Sequence, residues 1–220
     1  MLFRSRRMVK SVPGDRSRRV FPNSNFTNCK GFVNRVLADN PKTVYRCKNP
    51  KTVCRRGYYK VMSFVAPTNI YGNSTGDFHW YKQHKAVRYK IRAGDTVSGL
   101  ARFFKVSPLT IKKALLNQRR PLRNDDGMIA NSNMKINMRQ RGPVLKPGRV
   151  ITFPVNAWSH KQGWATGPLM IDASGKIITD PRKANRNYGY RYSKFCSAFC
   201  IKAGRVHTGR NNSNLIKNIR

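Results

Sequence analysis

The chain contains no glutamate: all 8 of its acidic residues are aspartate. That removes the side chain that most often serves as general acid in glycan-cleaving enzymes. A pair of aspartates could replace it, but the adjacent pair here, Asp125 and Asp126, falls in a loop-like stretch. A lysozyme-like activity is therefore not expected. Long apolar runs are missing too, and no stretch approaches the ~18 residues of a membrane span. Arg4, Arg6, Arg7 and Lys10 near the N-terminus are followed by no apolar segment, so no Sec-type signal peptide is recognisable and a chain made in the cytoplasm is expected. Gly-x-Ser-x-Gly, His-Glu-x-x-His and phosphate-cradling glycine loops are absent. His79 and His84 stand in an aromatic stretch with no recognisable acid–base partner. The expectation is a protein without catalytic residues, cofactor or metal.

Cysteine is sparse. Cys29, Cys47, Cys54, Cys196 and Cys200 make an odd count of 5, which leaves at least one thiol unpaired within the chain. Cys47-x6-Cys54 and Cys196-x3-Cys200 lack the tight Cys-x2-Cys spacing of a zinc knuckle. On a helix, Cys196 and Cys200 would share a face. Zinc, disulfides and buried free thiols all stay open.

What is abundant is positive charge. Lys and Arg number 45, for a formal net charge of +37, and they are spread along the whole chain. The hydrophobic fraction is a low 39%, but 3 Trp, 9 Tyr and 11 Phe suffice for small cores. Such a molecule repels itself and needs anionic partners or dense packing against neighbours. Nucleic acid, an acidic protein surface, an anionic membrane or an acidic glycan would each serve.

Residues 1–20 read as a basic arm in which Arg-Ser-Arg-Arg occurs at 4–7 and again at 16–19, broken by Pro13-Gly14. It is either a solvated tail or an arm that orders against phosphate or carboxylate groups; Arg4, Arg6, Arg7, Arg16, Arg18 and Arg19 are its candidate contacts. Residues 21–88 read as irregular and partly β. Asn40-Pro41-Lys42-Thr43-Val44 recurs as Asn49-Pro50-Lys51-Thr52-Val53, which suggests a hairpin or two stacked turns. Tyr58–Val65 reads as a strand, and Phe78, His79, Trp80 and Tyr81 form an aromatic cluster. Residues 155–220 are basic and turn-rich, with a hairpin pattern over Leu169–Thr179 and, over the last residues, the composition of a mobile tail. Phe78, Trp80, Tyr81, Trp158 and Trp164, aromatics among basic residues, are candidate anchors for a partner.

Between these flanks the pattern is more regular. Tyr89-Lys90-Ile91 alternates as a strand does, and Gly94-Asp95-Thr96 makes a turn whose side chains can cap a helix. Val97, Leu100, Ala101 and Phe104 then fall on one helical face. Ser107-Pro108 starts a second helix, with Ile111, Ala114 and Leu115 on its apolar side and Asn117 at its expected end. Leu145-Lys146-Pro147-Gly148 turns into a strand, Arg149–Pro154, with Ile151 and Phe153 on one side.

In this order, residues 89–154 resemble the LysM family, on Tyr89, Ile91, Gly94, Asp95, Thr96, Leu100, Ala101, Phe104, Val106, Ser107, Leu109, Asn117, Leu145, Pro147, Gly148, Ile151 and Pro154. The resemblance implies an α+β fold: a βααβ core, two helices on a two-stranded antiparallel sheet, with irregular, turn-rich, partly β flanking segments. It also implies binding of N-acetylglucosamine polymers, with Gly94, Asp95, Thr96 and Val97 as the first lip of a shallow groove. The second lip departs from the family, because residues 118–144, carrying Arg119, Arg120 and Arg123, are inserted there. A loop beyond ~15 residues is unusual and tends to be functional or disordered; an anchoring arm is one use of it. The basic, glutamate-free composition around such a module is similar to that of minor capsid proteins of large DNA viruses of algae. Three readings follow. The first is a structural adaptor in a virion, made in the host cytoplasm, with capsid subunits as partners; it ranks above glycan binding and nucleic-acid packaging.

Overall fold

A computed structural model describes residues 12–14, 16–17, 19–21, 27–67, 76–116, 127–129, 144–162 and 168–205. The fold is mixed α+β and divides into two compact units, Met1–Trp80 with Gly189–Arg220, and Tyr81–Tyr188. These limits cut across the segments expected from sequence: residues 21–80 share a unit with residues 189–220, while 81–88 and 155–188 belong with the central segment.

The first unit opens with α1 (Cys29–Asp39), a helix inside the stretch expected to be irregular. Asn28 caps it by accepting the Gly31 N–H, and Phe32, Val33 and Val36 line its buried side. Pro41 follows Asn40, and a residue before proline is steered away from helical geometry, so the helix stops there. Both copies of the Asn-Pro-Lys-Thr repeat close a turn, Thr43 N–H to Asn40 O and Thr52 N–H to Asn49 O, each at 3.2 Å. The copies do not pair with each other. The first runs into β1 (Val44–Arg46), which pairs with β6 (Lys194–Lys202). β6 is a correction to the turn-rich reading of the C-terminal segment. Its run Phe195–Ile201 is apolar apart from Ser197, and it lies between β1 and β2 (Tyr58–Ala66) in the order β1-β6-β2-β3, where β3 is Asp77–Lys90. Antiparallel ladders put Val44 and Tyr59 on either side of Ile201. Phe32, Val36, Val61, Val65, Phe199 and Ile201 form the core, with the Phe32 ring 5.3 Å from Phe78 and 5.2 Å from Trp80.

In the second unit β3 pairs antiparallel with β5 (Val150–Ser159), from Lys82 opposite Ser159 to Lys90 opposite Val150. Both strands run longer than the short pieces expected around residues 89–91 and 149–154. Pro154 sits where the register shifts, between His84 and Ala86, which is where a strand tolerates a missing N–H. Side chains alternate as a one-sided sheet requires: Val87 and Tyr89 are buried while Arg88 and Lys90 are exposed. The chain between these strands forms α2 (Val97–Phe104) and α3 (Pro108–Leu116). Their apolar residues Leu100, Ala101, Phe104, Ile111 and Ala114 share one core with Tyr89, Ile151 and Phe153. The Phe104 ring meets Tyr89 and Phe153 edge-on at 5.5 and 5.1 Å. Arg149 donates to the Leu115 carbonyl and so occupies an acceptor at the end of α3.

Within the insertion 118–144, residues Gly127–Ile129 form β4, parallel to Ala86–Arg88 of β3. The hairpin expected over Leu169–Thr179 forms as a tight turn, with Asp172 N–H on Lys176 O and Ile171 opposite Ile177. Met170, Ile177 and Ile178 are buried.

Candidate functional site

The turn Gly94–Val97 is the candidate first lip of a groove, and its polar side chains are occupied. Gly94 has φ +84°, a left-handed conformation that glycine adopts without strain. Asp95 is 1% exposed, and its carboxylate accepts the Arg92 N–H at 2.8 Å. Thr96, 3% exposed, caps α2 by accepting the Gly99 N–H at 3.0 Å. Burial first, and then the nearby Asp95 carboxylate, push the Tyr89 phenol well above its ordinary range. The far end of the insertion closes onto this turn: Leu145 N–H donates to Asp95 O at 2.8 Å, and Val144 bridges Thr96. Gly94 and Val97 are the parts of the candidate lip left exposed or half-buried.

The described part of the N-terminal arm is docked on its own chain. The Asp39 carboxylate, at the end of α1 and 6% exposed, accepts the N–H groups of Gly14, Arg16 and Ser17 at 2.6, 3.0 and 2.8 Å. Buried Arg35 donates to Pro13 O and Phe21 O, with its guanidinium 5.0 Å from the centre of the Phe21 ring. The arm does meet a carboxylate, as one sequence reading allowed, but with backbone N–H groups and within the same chain. Arg19 is exposed and Arg16 half-buried; Arg4, Arg6, Arg7 and Arg18 lie outside the described residues, as do Arg119, Arg120, Arg123 and Trp164.

The aromatic anchors need correcting. Phe78, Tyr81 and Trp158 are 7%, 0% and 3% exposed, so they pack the interior and present little surface to a partner. Trp80 is half-buried, between Phe32 at 5.2 Å and Phe199 at 5.8 Å. Both faces of β3 are covered here: Phe78 and Trp80 share the face that meets Phe32, while Tyr81, on the opposite face, lies beside Tyr188. The described histidines are packed as well. His79 lies 4.6 Å from the Tyr192 ring, and His84 Nε2 is 2.7 Å from Ser159 Oγ, with both partners buried. His160 stacks on Tyr188 at 4.6 Å and bonds Ile171 O through Nε2; burial holds its pKa below the ordinary histidine value.

The cysteines form two long-range disulfides, Cys29–Cys196 and Cys54–Cys200, leaving Cys47 as a buried thiol. Cys196 and Cys200 lie on a strand, not a helix. Four residues apart on a regular strand, they would share a face. The register break between Ser63 and Phe64 falls opposite Cys196 and puts that side chain in the α1-facing core with Phe199 and Ile201. Cys200, between Phe199 and Ile201 in sequence, points to the other face. There Cys47, Cys54 and Cys200 gather with all three sulfurs within 4.8 Å of one another. Three sulfurs, two of them already bonded together, fall short of a four-ligand zinc set. The sequence hint of this cluster was the odd cysteine count; the Asp39 clasp had none.

No protein-family model matches the chain, and no curated protein and no solved structure matches it.

Proposed function

We propose that β3, α2, α3 and β5 are a LysM-type core interrupted by residues 118–144, and that the chain is a non-enzymatic structural protein joining acidic surfaces in a large, virion-like particle. The observation that carries this is the excess of cations over carboxylates, 45 against 8. Asp39, Asp95 and Asp172 hold backbone N–H groups of the chain's own turns, and Asp77 holds the Phe78 N–H and the Tyr192 hydroxyl. Their charges are already counted in the net +37, and among the described residues Asp180 pairs with Arg182 at 2.7 Å. The balancing charge has to come from neighbours. Two disulfides suit a molecule that ends in an oxidising compartment or on a particle surface. Glycan binding by Gly94, Asp95, Thr96 and Val97 is disfavoured, because Asp95 and Thr96 are buried and engaged in the turn itself.

Cross-linking mass spectrometry on the native particle tests the proposal. Lysines of this chain are expected to link to acidic stretches of other protein subunits, and nuclease treatment is expected to leave those links in place. Ultraviolet cross-links from residues 1–20 and 118–144 to nucleic acid, in place of protein links, would favour packaging instead. Retention on chitin or peptidoglycan at high salt, competed by short chitin oligomers, would restore the glycan reading; high salt is needed because the charge attracts any polyanion.

A further inference from the structure

The Cys54–Cys200 disulfide has a third sulfur at its side. Cys47 Sγ lies 3.2 Å from Cys200 Sγ, and its backbone N–H is fixed to Ala198 O of β6 at 2.8 Å. Cys47 is only 5% exposed, whereas Cys54 is half-buried in the largely exposed stretch Lys51–Gly57.

We propose that these three cysteines form a thiol–disulfide exchange site that moves the free thiol from Cys47 to Cys54 and makes Cys54 a covalent attachment point for a partner carrying a disulfide. In the first step the Cys47 thiolate attacks Cys200 Sγ. The Cys47–Cys200 bond forms as the Cys54–Cys200 bond breaks, and the electron pair leaves on Cys54 Sγ. The proton given up by Cys47 ends on Cys54, and no electrons enter or leave the chain. In the second step the Cys54 thiolate attacks the partner's disulfide. A mixed disulfide forms at Cys54, and the partner's other sulfur departs as a thiolate.

Two features give the exchange a direction. Cys200 is common to both disulfides, so switching partners needs no new approach of β6 to its neighbours. The leaving sulfur is the better solvated one, next in sequence to exposed Arg55 and Arg56, and exchange is faster when the departing thiolate is stabilised. Attack is slowed because burial pushes the Cys47 thiol up, only partly offset by the Lys60 ammonium. The first step should therefore quicken as pH rises. The exchange rests on the sulfur geometry and is independent of which assembly the chain joins.

The test uses the full-length oxidised protein, incubated with glutathione disulfide at about pH 7 and about pH 8.5, then acid-quenched and mapped by non-reducing peptide mass spectrometry. Glutathione is expected on Cys54, together with a Cys47–Cys200 disulfide, and faster at the higher pH. Cys47→Ser is expected to slow the adduct by about tenfold or more, because the disulfide loses its neighbouring nucleophile. Cys54→Ser is expected to be isolated with Cys47 and Cys200 joined. Glutathione on Cys47 beside an intact Cys54–Cys200 bond, or no adduct on the native chain, overturns the proposal. So does undiminished labelling of Cys54 in Cys47→Ser. The wild-type map decides alone if either variant fails to fold.

Discussion

Asp39 accepts three backbone N–H groups from the arm while itself ending α1. Charge-assisted bonds to a buried carboxylate are among the stronger ones, and deleting the acceptor leaves donors without a partner. Asp39→Ala is expected to cost about 2–3 kcal/mol in urea unfolding, and Asp39→Asn less, because one oxygen remains. A wild-type midpoint for Asp39→Ala would mean the clasp adds nothing. His160 makes stability depend on pH. In the unfolded chain its imidazole takes a proton near pH ~6.5, and in the fold only at lower pH. Between those values the unfolded state binds more protons, so stability is full above ~6.5 and falls on acidification. Asp172 adds a second loss at lower pH. Burial raises its pKa, but hydrogen bonds from Asn185, Ser174 and Lys176 outweigh that and hold it below the ordinary range. Its contribution is present above ~4 and disappears as pH drops through the folded value. Thermal midpoints of wild type and His160→Gln, measured from pH ~7 to ~5, should diverge, the variant being flatter. Parallel curves would remove His160 from the account.

At the scale of elements, α2 and the turns around it were the most legible part of the chain. Thr96 as cap, Leu100 and Phe104 on one face and Ser107 ahead of α3 follow from local rules, and local contacts satisfy them. The N-cap is expected to contribute about 1 kcal/mol, so Thr96→Ala should lower stability by that much. The other end of α2 is less well chosen. Lys105 adopts φ +52° at the C-cap, where a side chain is disfavoured, and Lys105→Gly is expected to be neutral or to stabilise by up to about 1 kcal/mol. Loss of stability in that variant would show that the lysine side chain outweighs its backbone. Between β2 and β3, a Cβ on Gly76 would run into the Ala66 and Pro67 carbonyls, so Gly76→Ala should disturb the entry to β3. β6 was illegible for the opposite reason. Its register is set by β1 and β2, whose paired residues lie from 129 (Val65 and Lys194) to 157 (Val44 and Ile201) positions upstream, and by a bulge that turns Cys196 to the α1 side.

For the whole molecule, disulfides and charge act on different parts. Both disulfides lie in the unit formed by Met1–Trp80 and Gly189–Arg220. Long loops closed by a disulfide typically add ~2–5 kcal/mol each. Hydrogen exchange after reduction should therefore show protection lost first in α1, β1, β2 and β6, with α2, α3 and β5 retained. Simultaneous loss in both units would mean that the chain unfolds as one. Composition settled, without any structure, that this chain cannot balance its own charge, because 45 cations face 8 carboxylates wherever they lie. Helical periodicity and capping residues likewise located α2 and α3, since a helix is written in neighbours three and four apart. Burial is different. Whether Phe78, Tyr81 and Trp158 meet a partner or the chain's own core, which cysteine stays free, and which backbone Asp39 holds depend on segments distant in sequence. For the cysteines the outcome was decided when β6 paired with β1 and β2, and for Trp158 when β5 paired with β3.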